Sequence, residues 1–338
     1  MHAIIPERYG RGVVRALVVS DMLPDAAHPE RGSFVRDQVA ALRRLDELEV
    51  ELYQFAPGAR ALGRAAVDLA RQFGRRSRRD GRIPGDRFDV VHAHFGLSAW
   101  PALAVPARVR ALTVHGTDLR HPRTRLATRA VLPLIDLLAA VSGPLAQELP
   151  GAASRRAQVL PCGVDVERFH PVARAQARAE LGLDARRPYL LFAADPARPE
   201  KRYDRALSLA AAAEVELLTL GAVDPGRVPL WVNAANAVLV PSEREGFGLA
   251  VLEALACDVP VLATPVGVHP EALLDVRGTL CAPFDLASWR AALEPHVRAP
   301  DDAGEGRVEG RSSAMRFSAH RMAEGVATAW RTALRRSG

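Results

Sequence analysis

The residues most able to do chemistry lie in one segment, Pro241-Ser-Glu-Arg-Glu-Gly-Phe-Gly-Leu-Ala-Val-Leu-Glu-Ala-Leu-Ala-Cys257. It holds two carboxylates, Glu245 and Glu253, separated by seven residues, Gly246 and Gly248 among them. Glu245 falls in a loop after an apolar run that reads as a strand, and the glycines let backbone N–H groups approach a ligand closely. The helix expected over Phe247–Cys257 turns its positive end toward the same place, which suits an anionic group such as phosphate. On that placement Glu253 lies about two turns in, roughly 12 Å along the axis. One carboxylate can then meet a sugar while the other meets the ribose diol of the same nucleotide sugar. A second chemical segment is Pro196-Ala-Arg-Pro-Glu-Lys-Arg202, and a third is Thr113-Val-His-Gly-Thr-Asp118, where His115 ends a strand. His92 and His94 share one strand face by period two; no third residue completes a metal set with them.

These segments need a scaffold, and the rest of the chain supplies one. Apolar runs at Val13–Ser20, Val50–Phe55, Asp89–His92, Ala111–His115, Leu137–Ser142 and Gln158–Pro161 alternate with helix-period stretches such as Phe34–Leu45. After a polar connection over Asp165–Arg187 the alternation resumes at Tyr189–Ala193, Val215–Leu220, Ala237–Val240, Val259–Ala263 and Thr279–Cys281. Helices are expected at Arg202–Ala213 and Leu286–Val297, and a Gly/Asp/Glu-rich loop over Asp301–Arg311 precedes a last helix, Phe317–Leu334. Strands buried on both faces and alternating with helices give parallel sheets covered by helices. The expected fold is α/β, with two Rossmann-like, doubly wound domains facing a cleft. The boundaries read as 1–165 for the acceptor domain, 166–315 for the nucleotide-sugar domain, and 316–338 for a helix returning to the first domain.

Composition narrows the class. The chain has 338 residues, 49% hydrophobic and 25% charged, which is globular. The net charge of +6 is spread along the chain, and every basic residue except Lys201 is an arginine. Nucleic-acid binders concentrate such charge in a stripe, so nucleic acid is not an expected partner. The one basic cluster is Arg60–Arg79, where Leu62, Ala65, Leu69 and Phe73 repeat at helical spacing. It reads first as a helix packed on the sheet with a solvated basic tail, and second as a site for an anionic membrane surface. Three cysteines with no Cys-x-x-Cys pair make neither a disulfide framework nor a zinc site. No secretory signal and no apolar run of about 18 residues is found. The expected location is the cytoplasm, with peripheral contact at the inner face of the plasma membrane.

With these residues in view, the chain resembles the retaining glycosyltransferases of family four, which have the GT-B fold. The Glu-x7-Glu element is similar to their donor-site signature. Arg31-Gly-Ser-Phe-Val-Arg-Asp-Gln38, Asp89-Val-Val-His-Ala-His94, Thr113–Asp118, Val159–Pro171 and Pro260–Thr264 with Glu271 resemble other family segments in order and spacing. The resemblance implies that Glu245 holds the donor sugar together with Gly246, Phe247, Gly248 and Leu249, and that Glu253 binds the ribose. It implies that Arg198 and Lys201 neutralise the donor diphosphate, and that His115 faces the sugar from the first domain. Gly32 would allow close approach at the first helix; His94 and Asp118 would lie on the acceptor side. No metal or other cofactor is expected, since two cations and a helix end can stabilise the leaving diphosphate. The expected partners are a nucleotide-sugar donor and a glycan or lipid-linked acceptor, in cell-surface polysaccharide or glycolipid synthesis.

Three departures from the family pattern stand out. Asp195-Pro196 replaces the usual Gly-Arg pair, Cys162 stands where Asn is common, and Asp258 where Gly is common. A strand–helix unit is also missing between Lys201 and Pro241, so the base pocket must be rebuilt around Leu220–Val223. Two other readings stay open on the same architecture. One is a sugar phosphorylase or nucleotide-sugar epimerase, since fold does not fix reaction; the other is a non-catalytic nucleotide-sugar-binding module.

Overall fold

The computed structural model describes residues 12–26, 28–74, 88–221, 223–298 and 307–337. Apolar, β-branched runs form eleven strands: β1 Val14–Ser20, β2 Leu48–Gln54, β3 Val90–His94, β4 Val109–Val114, β5 Leu137–Ala140, β6 Gln158–Val159, β7 Tyr189–Phe192, β8 Glu216–Thr219, β9 Ala237–Val240, β10 Val261–Ala263 and β11 Leu280–Cys281. They pair only in parallel, in two sheets ordered β2-β1-β3-β4-β5-β6 and β11-β10-β9-β7-β8. The inner strands β3, β5, β7 and β9 are buried throughout, as strands covered on both faces must be. The fold is that of two doubly wound α/β units, as the alternation predicts.

Sheet order decides where the cleft lies. In the second sheet the chain lays β8 on one side of β7 and β9 on the other, so the connections leaving β7 and β9 part at that point. Open α/β sheets bind ligands at such a switch, beyond the carboxyl ends of the strands. The loop after β7 carries Arg198 and Lys201, and the loop after β9 carries Glu245. One backbone hydrogen bond ties the two loops together, from the Glu243 N–H to the Glu200 carbonyl at 2.9 Å. In the first sheet the same reversal falls between β1 and β3, and His115 follows β4.

Three expectations change. The helix expected at Phe247–Cys257 begins at Leu249 and ends at Ala256, because Gly248 is held at φ +106°, outside helical backbone. Glu253 therefore lies only about 6 Å from the helix start. The connection over Asp165–Arg187 is not merely a loop: Arg174–Leu181 is a helix. Its polar look comes partly from Arg178, which is fully buried and spends its guanidinium on the carbonyls of Ala234 and Ala185 and the Asn236 side chain. Strand β3 runs on to His94, two residues past its expected end, and this seats both histidines in the sheet.

The final helix, Ala319–Arg336, packs against the first domain. Its Val326, Ala327 and Trp330 share a core with Val35, Val39 and Leu42 of the Ser33–Leu42 helix and with Ala16 and Val18 of β1. Most of the loop expected at 301–311 lies outside the described residues. So do Arg75, Arg76, Arg78 and Arg79 of the basic cluster; the part described is a helix, Ala59–Phe73, seated by Ala65 and Leu69 with Arg60, Arg64 and Arg71 exposed. Among the described residues no helix is long and apolar enough to cross a membrane.

Candidate active site

Glu245 and Lys201 form the centre of the cleft. The Lys201 Nζ stands 2.7 and 2.8 Å from the two carboxylate oxygens of Glu245, and the Ser242 hydroxyl donates to Oε1 at 2.7 Å. Both side chains are nearly buried, 12% and 8% exposed, so little water competes with the pair. Burial pushes the Glu245 carboxyl up, but the Lys201 ammonium and the hydrogen bonds outweigh it and hold the group below its ordinary range. Lys201 has three N–H donors, and two suffice for Glu245. The resemblance sets Lys201 on a diphosphate; its hydrogen-bond partner is Glu245. Arg198 is more open, pairing with Glu200 at 2.6 Å with its side chain 55% exposed.

Two cavities meet at these cations. One, of about 190 Å³, is lined by the apolar Leu220, Val223, Pro225 and Val228 and by Arg168 and Glu253. The other, of about 440 Å³, is lined by His115, Asp118, Phe34, Phe95 and the backbone segment Gly246–Leu249. Arg198 and Lys201 line both. Glu253, partly buried, faces the smaller cavity. Burial raises its carboxyl to about 7, the Asp37 charge adds to this, and Arg168 and Lys201 oppose it.

The first domain offers uncharged groups. His92, His94 and His115 stack in a column, with ring centroids 4.9 Å apart for the first pair and 5.1 Å for the second. Burial lowers His92 to about 4, His115 to about 3, and His94 well below its ordinary value. All three are neutral near pH 7. The Trp330 indole N–H donates to His92 Nδ1 at 3.1 Å, which leaves His92 Nε2 to donate to Thr113 at 2.8 Å. Asp118 lines the larger cavity, yet its carboxylate is spent on the backbone N–H groups of His115 at 3.1 Å and Gly116 at 2.8 Å. Burial nevertheless lifts it to about 6.

The domains touch at the donor loop. The Ser142 hydroxyl donates to the Gly246 carbonyl at 3.1 Å, and Arg120 donates to the Glu245 carbonyl at 3.2 Å while pairing with Glu148. Gly246 lines the larger cavity, and a Cβ there would overlap the His115 carbonyl oxygen, so the opposing domain also requires the glycine. A Cβ on Gly248 would overlap the buried His269 ring. Gly32 lies against the Met22 carbonyl at φ +67°, which accounts for the glycine by packing.

Sequence reasoning missed Arg120, Arg168, Ser142, Ser242 and His269. The two arginines are hidden by an arginine-rich background. Ser142 did carry a signal, since Ser-Gly-Pro after a strand is a helix start, and it does cap the Gly143–Gln147 helix. Cys162 lines the larger cavity, and burial pushes its thiol up to about 12. Among the described residues no three His, Cys, Asp or Glu side chains gather as a metal site.

Two Rossmann-like parallel sheets, each with its own switch point, are the architecture of the GT-B class. The chain belongs to the glycosyltransferases of family four. Residues 14–168 match the Glycosyltransferase Family 4 model, and residues 176–301 match the model of glycosyl transferases group 1. A D-inositol 3-phosphate glycosyltransferase from Frankia alni is 33% identical, over 75% of this chain and 76% of the relative. Its counterpart in Segniliparus rotundus is 30% identical, over 74% and 67%. Among solved structures, Anabaena HepE in complex with UDP-glucose aligns with a TM-score of 0.68 at 15% identity, covering 94% of this chain and 99% of that one. Sucrose-phosphate synthase from Thermosynechococcus elongatus gives 0.67 at 20%, covering 94% and 98%. At those identities the structural likeness concerns the fold.

Proposed function

We propose that the enzyme is a retaining hexosyltransferase that moves a sugar from a nucleoside-diphosphate sugar to a hydroxyl of a cell-surface glycan or its lipid-linked precursor. The observation that carries this reading is the Lys201–Glu245 pair, whose lysine lines both a smaller cavity and a larger one. The base lies in the smaller cavity against Leu220 and Val223, and Glu253 accepts from the ribose diol. Glu245, ionised and fixed by Ser242, accepts from hydroxyls of the sugar. As the glycosidic bond breaks, negative charge grows on the diphosphate. Arg198, the free N–H of Lys201 and the N-terminal end of the Leu249–Ala256 helix stabilise it, and preorganised dipoles and charges of this kind give the largest share of many rate enhancements. No cofactor is needed for that charge. The acceptor attacks from the face the leaving group vacates, so configuration is kept. The exposed arginines of the Ala59–Phe73 helix suit an anionic membrane surface near such an acceptor.

A second acceptor reading has its own observation. Beside Glu245 lies a cavity of about 410 Å³ whose wall holds Arg120, Arg198 and Arg244. The relatives are named for D-inositol 3-phosphate, and arginines of this kind suit a small phosphorylated polyol.

The test is a thermal-shift panel of UDP-, GDP-, ADP- and dTDP-sugars, followed by transfer to glycan, lipid-linked and phosphorylated polyol acceptors. Stabilisation by a single base is expected. Nuclear magnetic resonance of the product should show the donor's own anomeric configuration. An inverted product overturns the retaining assignment. Consumption of the donor by free phosphate alone favours a phosphorylase, and binding without turnover favours a binding module.

A further inference from the structure

We propose that His94 is a positioning residue that fixes the tautomer of His115, so that His115 turns a neutral Nδ1–H donor toward the cleft. The pairing of β3 with β4 sets His94 opposite Thr113, two residues before His115. This brings His94 Nδ1 to 2.9 Å from His115 Nε2. One proton lies between two nitrogens, and either ring can own it.

The surroundings decide between the two arrangements. His94 is 1% exposed, and its Nε2 is buried with no partner. If His115 owned the shared proton, the neutral His94 would carry its own proton on Nε2, as a buried N–H without an acceptor. If His94 owns it, the orphan is a bare lone pair. Buried N–H groups left without a partner are rarer in proteins than under-satisfied acceptors, and an unmet buried donor loses the whole of its solvation. The second arrangement is therefore the stable one. His115 Nε2 accepts, and its single proton sits on Nδ1.

An imidazolium in either ring would also fill the gap, but burial disfavours charge throughout the column. The neighbour behind His94 offers no relief. Both nitrogens of His92 are already engaged, by Trp330 and Thr113. The His115 ring is held by Phe34 at 4.9 Å and Phe95 at 4.5 Å between centroids, so it keeps one edge on His94 and the other toward the cavity it lines. What the cleft meets is then a donor without charge. It suits a lone pair on an oxygen of the bound sugar or its phosphate; this identification of the partner rests on the donor-site reading, while the tautomer does not.

The experiment uses the full chain labelled with ¹⁵N-histidine, at neutral pH and without ligand. Long-range proton–nitrogen correlation gives the protonation of each ring nitrogen, and the spectrum of His115→Gln identifies the His115 signals. A proton-bearing Nδ1 and a bare Nε2 are expected. The reverse pattern, or equal averaging of the two, overturns the proposal. In His94→Leu the His115 pattern should move toward the other tautomer; a folded variant with an unchanged pattern also overturns it. If that variant does not fold, the wild-type spectrum still decides. A chain that shows the expected tautomer yet binds none of the nucleoside-diphosphate sugars sinks the donor-site reading and leaves the His94 assignment standing.

Discussion

The two walls of the cleft solve opposite electrostatic problems. The second-domain wall keeps buried charge by compensation: Glu245 stays ionised because Lys201 and Ser242 stand on its oxygens. On the first-domain wall the histidine column excludes charge, since burial holds His92, His94 and His115 neutral. Arg198 and Lys201 stand on the second-domain side, and Arg120 reaches the Glu245 carbonyl from the first.

The sharpest way to break the comparison is to remove the charge that the second wall protects. Glu245→Gln keeps the shape but cannot hold Lys201 by charge, and turnover should fall on the order of 10²–10³-fold. The check is the transfer rate with the donor picked out by the thermal-shift panel; a rate within a few fold of wild type removes Glu245 from the mechanism. The next largest effect should come from the point where the walls meet. Gly246→Ala sets a methyl group against the His115 carbonyl, so the domains must part. We expect about a 10²-fold loss of transfer with nucleoside-diphosphate affinity within a few fold of wild type. A parallel loss of both would place Gly246 in the nucleotide site instead.

The smallest effect concerns pH, and here Glu253 and the buried histidines titrate in opposite senses. Glu253 has a carboxyl raised to about 7, so the folded protein holds that proton more tightly than the unfolded chain. Its contribution is present at acid pH and is lost as pH rises from the ordinary carboxylate range through about 7. For His92 and His115, lowered to about 4 and 3, the contribution is present above the ordinary histidine range and is lost as pH falls. Glu253→Gln should therefore raise the unfolding temperature at pH 7.5 by about 2–4 °C and leave it nearly unchanged at pH 5. An equal shift at both values would show that Glu253 acts by packing and not by its charge.

The two walls were unequally legible in the sequence. Parallel sheets announce themselves, because strands such as Val14–Ser20 and Tyr189–Phe192 are apolar on both faces, and order alone sends Glu245 and the Lys201 loop to one switch point. Contacts between the walls were not legible. Nothing in the sequence sets the His115 carbonyl beside Gly246. Arg120 and Arg168 carry no local mark in a chain that uses arginine for nearly every basic residue. The start of the Leu249–Ala256 helix was misplaced because Phe247 continues the apolar period, and only the backbone angle of Gly248 excludes it.

Trp330 has a consequence for how this molecule is made. It is fully buried in the first domain's core and lies within the last nine residues of the chain, hydrogen-bonded to His92. Domains generally fold in order as they leave the ribosome. Here the first domain emerges without the piece that closes one face of its sheet, and it must wait for the second domain to be synthesised before its core is complete. Cutting the gene between the two sheets would leave the amino-terminal half with an open apolar face, and supplying Ala319–Arg336 as a separate peptide is the way to close it.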